Sequence, residues 1–149
     1  MKLKMLITGV SGLLGNNLAY YFNSHHEILG LYFSNPIMIS GIQTEQCDLT
    51  LKENVSAILT HFVPDVIIHC TSLANIDQCE KDPVFSEYVN CHIALMLSTI
   101  CKKNNIKFVH ISTDHFFSLN KKYYKETDKI NCINSYSKTK LLAENKIIL

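Results

Sequence analysis

Apolar residues recur along this chain in two rhythms, short unbroken runs and runs at helical spacing, and the two alternate from end to end. Leu3–Thr8 is an apolar run and predicts a first strand, and Leu13–Ser24 has apolar residues at helical spacing and predicts a first helix. Ile28–Phe33 predicts a second strand, and Gln43–Cys47 a short third one after a polar turn. Thr50-x-x-Glu53 has the form of a capping box and predicts a helix from there to about Phe62. Pro64-Asp65 turns the chain into Val66–Cys70, a fourth strand apolar on both faces. Asp82-Pro83 supplies an N-cap and a first-turn proline for a long helix through about Lys103. Phe108–Ser112 predicts a fifth strand, and a last helix runs from about Ser135. Strands separated by helices, without hairpin signals, predict an α/β fold with a doubly wound parallel sheet.

The first strand runs straight into glycines spaced three apart, Gly9, Gly12 and Gly15. A buried strand, a tight turn and a helix start together make a site for a dinucleotide pyrophosphate. Gly9 can take turn angles closed to other residues, Gly12 lets the backbone approach a phosphate, and Gly15 allows close helix packing. The candidate cofactor residues here are Gly9, Ser11, Gly12, Leu13 and Leu14. Between Ile28 and Thr44 there is no acid to hold a ribose 2′-hydroxyl, which disfavours strict NAD specificity. Nor is there an Arg or Lys to clamp a 2′-phosphate, and Ser34 and Asn35 can hydrogen-bond either ligand. NADP(H) is favoured and NAD(H) is admitted.

Composition narrows the field. At 149 residues and 47% apolar, the chain is long enough for one domain with a real core. Fourteen basic and thirteen acidic residues nearly cancel, so nucleic acid is not an expected partner. Lys121, Lys122, Lys125 and Lys129 read as a solvated loop. No apolar run has transmembrane length and no signal-peptide pattern opens the chain, so no membrane partner and a cytoplasmic location are expected. Six cysteines without a C-x-x-C pair read as reduced and mostly buried, and no metal site is expected among them or the seven histidines. His69 and His110 stand within apolar strands and read as core histidines rather than acids or ligands. The helical pattern continues to the last residues, where a dinucleotide fold would go on to a sixth strand. Residues 1–149 are therefore read as one dinucleotide-binding domain, the front part of a longer protein.

Candidate chemistry lies in the second half. The fifth strand leads into Ser112-Thr113-Asp114, where the Thr113 hydroxyl could polarise a substrate carbonyl. Tyr136 and Lys140, at i and i+4, lie on one helical face. A nearby ammonium favours phenolate, so such a tyrosine can exchange a proton near neutral pH. Y-x-x-x-K alone is common, and a surface pair is the plain alternative. A glycine turn, a hydroxyl at a strand end and this pair, in that order, are specific.

These motifs resemble the extended short-chain dehydrogenases/reductases, and within them the dTDP-4-dehydrorhamnose reductases, the RmlD type. The resemblance runs over nearly all 149 residues. Besides the glycine turn it includes Asp48-Leu49, which resembles the family's contact to adenine, and Pro64–Cys70, its fourth strand. Asn75–Glu80, Asn90 in the long helix, Ser112-Thr113-Asp114, and Glu126-x-Asp128 ahead of Tyr136 and Lys140 complete it. The resemblance implies a Rossmann fold and reduction of a 4-keto-6-deoxy sugar nucleotide. It implies Thr113, Tyr136 and Lys140 as catalytic residues, with Tyr136 and Lys140 also touching cofactor. It further places Asp48, Leu49, Cys70, Thr71 and Ser72 beside the cofactor. The chain departs from the family pattern at His115-Phe116-Phe117, at Ser137, and at Cys70-Thr71-Ser72, where alanines are usual. A homodimer is compatible with this reading, and the family's substrate region is expected mostly beyond these residues.

Three alternatives stand beside the reductase. One is an epimerase or dehydratase of the same superfamily, against which the S-T-D signature argues. Another is a non-catalytic, dinucleotide-binding regulatory subunit, like that of methionine adenosyltransferase. The last is a truncated remnant.

Overall fold

A computed structural model describes residues 1–117 and 121–148. The chain divides into two compact units, Met1–Ser72 with Met96–Ile111 and Leu73–Leu95 with Ser112–Leu149. The first unit contains a parallel five-stranded sheet of β1 (Lys4–Thr8), β2 (Glu27–Tyr32), β3 (Gln43–Gln46), β4 (Val66–His69) and β5 (Lys107–His110). Their spatial order is β3-β2-β1-β4-β5. Strand order reverses between β1 and β4, which is where sheets of this kind open a ligand crevice outside the carboxyl ends. Flanking helices α1 (Leu13–Phe22) and α2 (Lys52–His61) belong to the same unit. The fold is Rossmann-like, as the alternation of patterns predicts.

The central strands are apolar for a physical reason. β4 is buried at every position, and β1 at all but its first, because strands covered on both faces can carry no solvated residue. Met5 pairs with Ile28 on one side and Val66 on the other, and Ile7 with Gly30 and Ile68. Met5, Ile7, Val10, Ala19, Ile28, Val66 and Ile68 form one core cluster. Burying each of its larger aliphatic side chains contributes about 2 kcal/mol.

The second unit contains α3 (Ile76–Lys81), α4 (Pro83–Glu87), a π turn at Tyr88–His92, the first residues of α5 (Ile93–Lys103), and α6 (Ser135–Ile148). Cys91 and Ala94 pack with Ala143, supported by Leu142 and Ile147. Asp82 caps α4 through the amide of Phe85 at 3.0 Å, with Pro83 in the first turn, as the sequence predicts.

Four expectations are corrected. Thr50 does not open α2: its amide and hydroxyl both bond Asp48 Oδ1, at 2.9 and 2.7 Å, and the helix begins only at Lys52. The predicted long helix is not regular, because the π turn interrupts it. β5 ends at His110, so Thr113 stands in the loop beyond the strand. Pro83–Lys103 is long and apolar enough to meet the length requirement of a membrane span, which the sequence pattern had not suggested. Asn90, Cys91, Ile93, Ala94, Leu97 and Cys101 of that stretch are nevertheless buried within the protein.

Candidate functional site

The glycine turn is built as its spacing requires. Gly9 has φ +68°, and its carbonyl accepts the Gly12 amide at 2.9 Å, closing a tight turn. A methyl group on Gly15 would collide with the Gly9 carbonyl oxygen, so α1 leaves the turn in direct backbone contact with it. Gly12 is the N-cap residue of α1 and offers no side-chain hydrogen bond, and the first turn holds no acid. The amides of a helix start without a side-chain cap are available to an anion, and the dipole favours one there. Ser11, Gly12, Leu13 and Leu14 are exposed, and an added Cβ on Gly12 would touch only the Gly9 oxygen, at 3.3 Å. This cradle fits a pyrophosphate.

Other predicted cofactor residues lie at the same ends of the strands. Cys70, Thr71 and Ser72, half-buried, leave β4, and the backbone of Cys70 and Thr71 touches Gly9. Ser34 is exposed in the bend after β2. Asp48 is half-buried and is held by Thr50, while Leu49 is buried. Beside them Cys47 is buried, and burial, reinforced by the charges of Asp48 and Glu45, pushes its thiol up to about 11. Cys47 is therefore no nucleophile near neutral pH.

The second unit contains all three predicted chemical groups, Thr113, Tyr136 and Lys140. Tyr136 and Lys140 lie one turn apart on α6. Tyr136 is half-buried and Lys140 only 2% exposed, so the pair is not a solvated surface pair. The amide of His115 donates to the Thr113 hydroxyl at 3.2 Å, and the His115 ring meets the Tyr136 ring edge-on, centroids 5.8 Å apart. His115 thus links the loop of Thr113 to the ring of Tyr136.

What fixes α6 was not foreseen. Asn134 caps it, Oδ1 accepting the Ser137 amide at 2.8 Å, and Glu80 of α3 accepts the Ser135 amide. Those bonds from Ser135, first backbone and then side chain, hold the Glu80 carboxyl below its usual range. Asn90, 1% exposed within the π turn, bonds the Leu73 amide and carbonyl at 2.8 and 3.1 Å and the Thr139 hydroxyl at 3.2 Å. It ties the start of the 73–75 segment to the helix of Tyr136 and Lys140. Asn134 ahead of a helical run is a readable cap signal. The Asn90 clamp joins residues too distant in sequence for any local pattern to show. Among the described residues, no three His, Cys, Asp or Glu side chains gather as metal ligands would.

The family model of the RmlD substrate binding domain matches residues 2–148. The chain belongs to the RmlD family. It is 32% identical to a dTDP-4-dehydrorhamnose reductase of Aggregatibacter actinomycetemcomitans, over 97% of this chain and 47% of that protein. It is 30% identical to methionine adenosyltransferase 2 subunit beta of Danio rerio, over 97% of this chain and 43% of the other. Among solved structures, it matches the Bacillus anthracis dTDP-4-dehydrorhamnose reductase in complex with NADP. That match has a TM-score of 0.81 and 26% identity, and covers 99% of this chain and 50% of the other. This RmlD chain spans about half the length of the curated relatives it matches.

Proposed function

We propose that this chain is the cofactor-binding part of an NAD(P)H-dependent reductase of a 4-keto-6-deoxy sugar nucleotide, of the dTDP-4-dehydrorhamnose reductase kind. The observation that carries the reading is the Tyr136 ring in contact with His115, the neighbour that bonds Thr113, with Lys140 buried one turn along the same helix. Gly9, Ser11, Gly12, Leu13 and Leu14 hold the pyrophosphate, the backbone of the 70–72 segment flanks it, and Asp48-Leu49 takes the adenine end. Ser34 meets the adenosine ribose, where the absence of an acid favours NADPH over NADH. The reduced nicotinamide supplies a hydride to the substrate carbonyl carbon. Tyr136 gives its phenolic proton to the alkoxide oxygen, and the Thr113 hydroxyl donates a hydrogen bond to that same oxygen. Lys140, one turn along the helix from Tyr136, touches the nicotinamide ribose.

The test is titration of the purified protein with NADPH and NADH, followed by turnover of a 4-keto-6-deoxy sugar nucleotide by the full-length protein that contains this part, as wild type and Tyr136→Phe. NADPH should bind more tightly, and the variant should bind it within about twofold yet lose turnover at least about 100-fold. Surviving turnover would remove Tyr136 as the proton donor, and clearly tighter NADH would overturn the cofactor preference.

The likeness to methionine adenosyltransferase 2 subunit beta favours a second reading, a dinucleotide-binding regulatory subunit. Saturable NADPH binding without turnover, together with co-purification of an enzyme partner, would select it.

A further inference from the structure

The two loops flanking the sheet's point of reversal leave β1 at Gly9 and β4 at Cys70, and they meet backbone to backbone. A Cβ on Gly9 would lie 2.9 Å from the Thr71 nitrogen and 3.1 Å from the Cys70 carbonyl carbon. The Thr8 hydroxyl sits at this junction. Thr8, fully buried, accepts the Thr71 amide at 3.3 Å, and its Oγ1 stands 2.8 Å from Nδ1 of His69. An N–H pointing into Oγ1 leaves the hydroxyl a proton and a second lone pair, and it bonds the imidazole at Nδ1 as donor or acceptor according to the ring's tautomer. A threonine hydroxyl held from one side can still rotate between staggered positions, whereas one bonded on two sides cannot. His69 is itself immobilised. It is 1% exposed and stacked with Phe108 and His110 of β5, at centroid distances of 6.1 and 5.8 Å. Such burial leaves no face for a ligand, and the bond to Thr8 is the contact that leads from His69 to the glycine turn.

We propose that His69 is a positioning residue of the dinucleotide site, fixing through the Thr8 hydroxyl the spacing between the glycine turn and the Thr71 loop. The inference rests on the dinucleotide reading above. It assigns function to a core histidine whose place in an apolar strand otherwise suggests packing alone.

Two variants separate hydrogen bonding from packing. His69→Asn keeps an accepting atom near the position of Nδ1, and His69→Leu fills the space without one. NADPH affinity, thermal midpoint and amide exchange at Thr71 are measured for both and for wild type. The expected result is near wild-type affinity for His69→Asn and affinity about tenfold weaker for His69→Leu, the cost of one hydrogen bond. Thr71 should exchange faster in His69→Leu alone, including without NADPH. Equal affinity in all three proteins would overturn the proposal and leave the dinucleotide site standing. Equal loss in both variants would assign His69 to packing and also overturn it. Absence of NADPH binding in wild type would remove the dinucleotide reading and this proposal with it, a failure visible before any variant is made.

Discussion

A side chain at Gly9 would meet two obstacles at once. Its φ of +68° lies where an L residue is strained by about 1–2 kcal/mol. The space a methyl needs is taken by the Thr71 nitrogen and the Cys70 carbonyl carbon, which are backbone and cannot rotate away. Gly9→Ala is therefore expected to lower stability by about 2–4 kcal/mol, more than most single substitutions. Urea denaturation measures it, and a loss under about 0.5 kcal/mol would mean that the loop after β4 yields easily. At this scale the sequence was most legible where the backbone itself is the constraint. Gly9, Gly12 and Gly15 occupy the positions their spacing implies, because the turn is local and admits little else. His115 is the opposite case. Its departure from the family pattern was visible in the sequence, but its contact with the Tyr136 ring joins a loop to a helix and has no local signal.

At the scale of elements, Asn90 and the π turn around it decide how the second unit is held. The Leu73 amide and carbonyl and the hydroxyls of Thr139 and Ser86 all end on one side-chain amide that is almost wholly buried. Asn90→Leu keeps the volume and deletes these bonds from partners that are themselves buried or part-buried. The expected cost is about 2–3 kcal/mol in chemical denaturation, with faster amide exchange at Leu73 and little change in helix content. Unchanged exchange at Leu73 would show that the 73–75 segment does not depend on Asn90. The capping of α4 by Asp82 was readable, since cap and helix are neighbours in sequence. The start of α2 was misplaced because Asp48 captures both donors of Thr50, a competition that sequence spacing cannot rank. The π turn was not readable at all. One extra residue in a turn leaves the apolar spacing nearly intact, and the amide it positions answers to groups elsewhere in the chain.

Taken as a whole molecule, the order of strands and helices followed from periodicity, while the sheet order needed the structure. Periodicity tells which residues are buried, not which strand lies beside which. Burial over the whole molecule has its own pH signature. Cys47 and Cys101 are both removed from solvent, and desolvation pushes each thiol from 9.0 to about 11. Between these values the unfolded chain gives up thiol protons that the folded chain retains, so stability falls as pH rises through that window. Below pH 9 this contribution is complete, and above about 11 it is gone. Urea midpoints from pH 8 to 11 should show the decline, and the double variant Cys47→Ala, Cys101→Ala should flatten it. An equally steep decline in the variant would place the alkaline sensitivity in other groups. The Asn90 clamp also sets an order of events during synthesis. Its amide reaches back 17 positions to Leu73 and forward 49 to Thr139. A ribosome adding residues one at a time delivers Asn90 and Leu73 long before Thr139 exists. Until then the Asn90 amide lacks its Thr139 partner, and water can take that place. The last of these bonds has to wait for α6 to emerge.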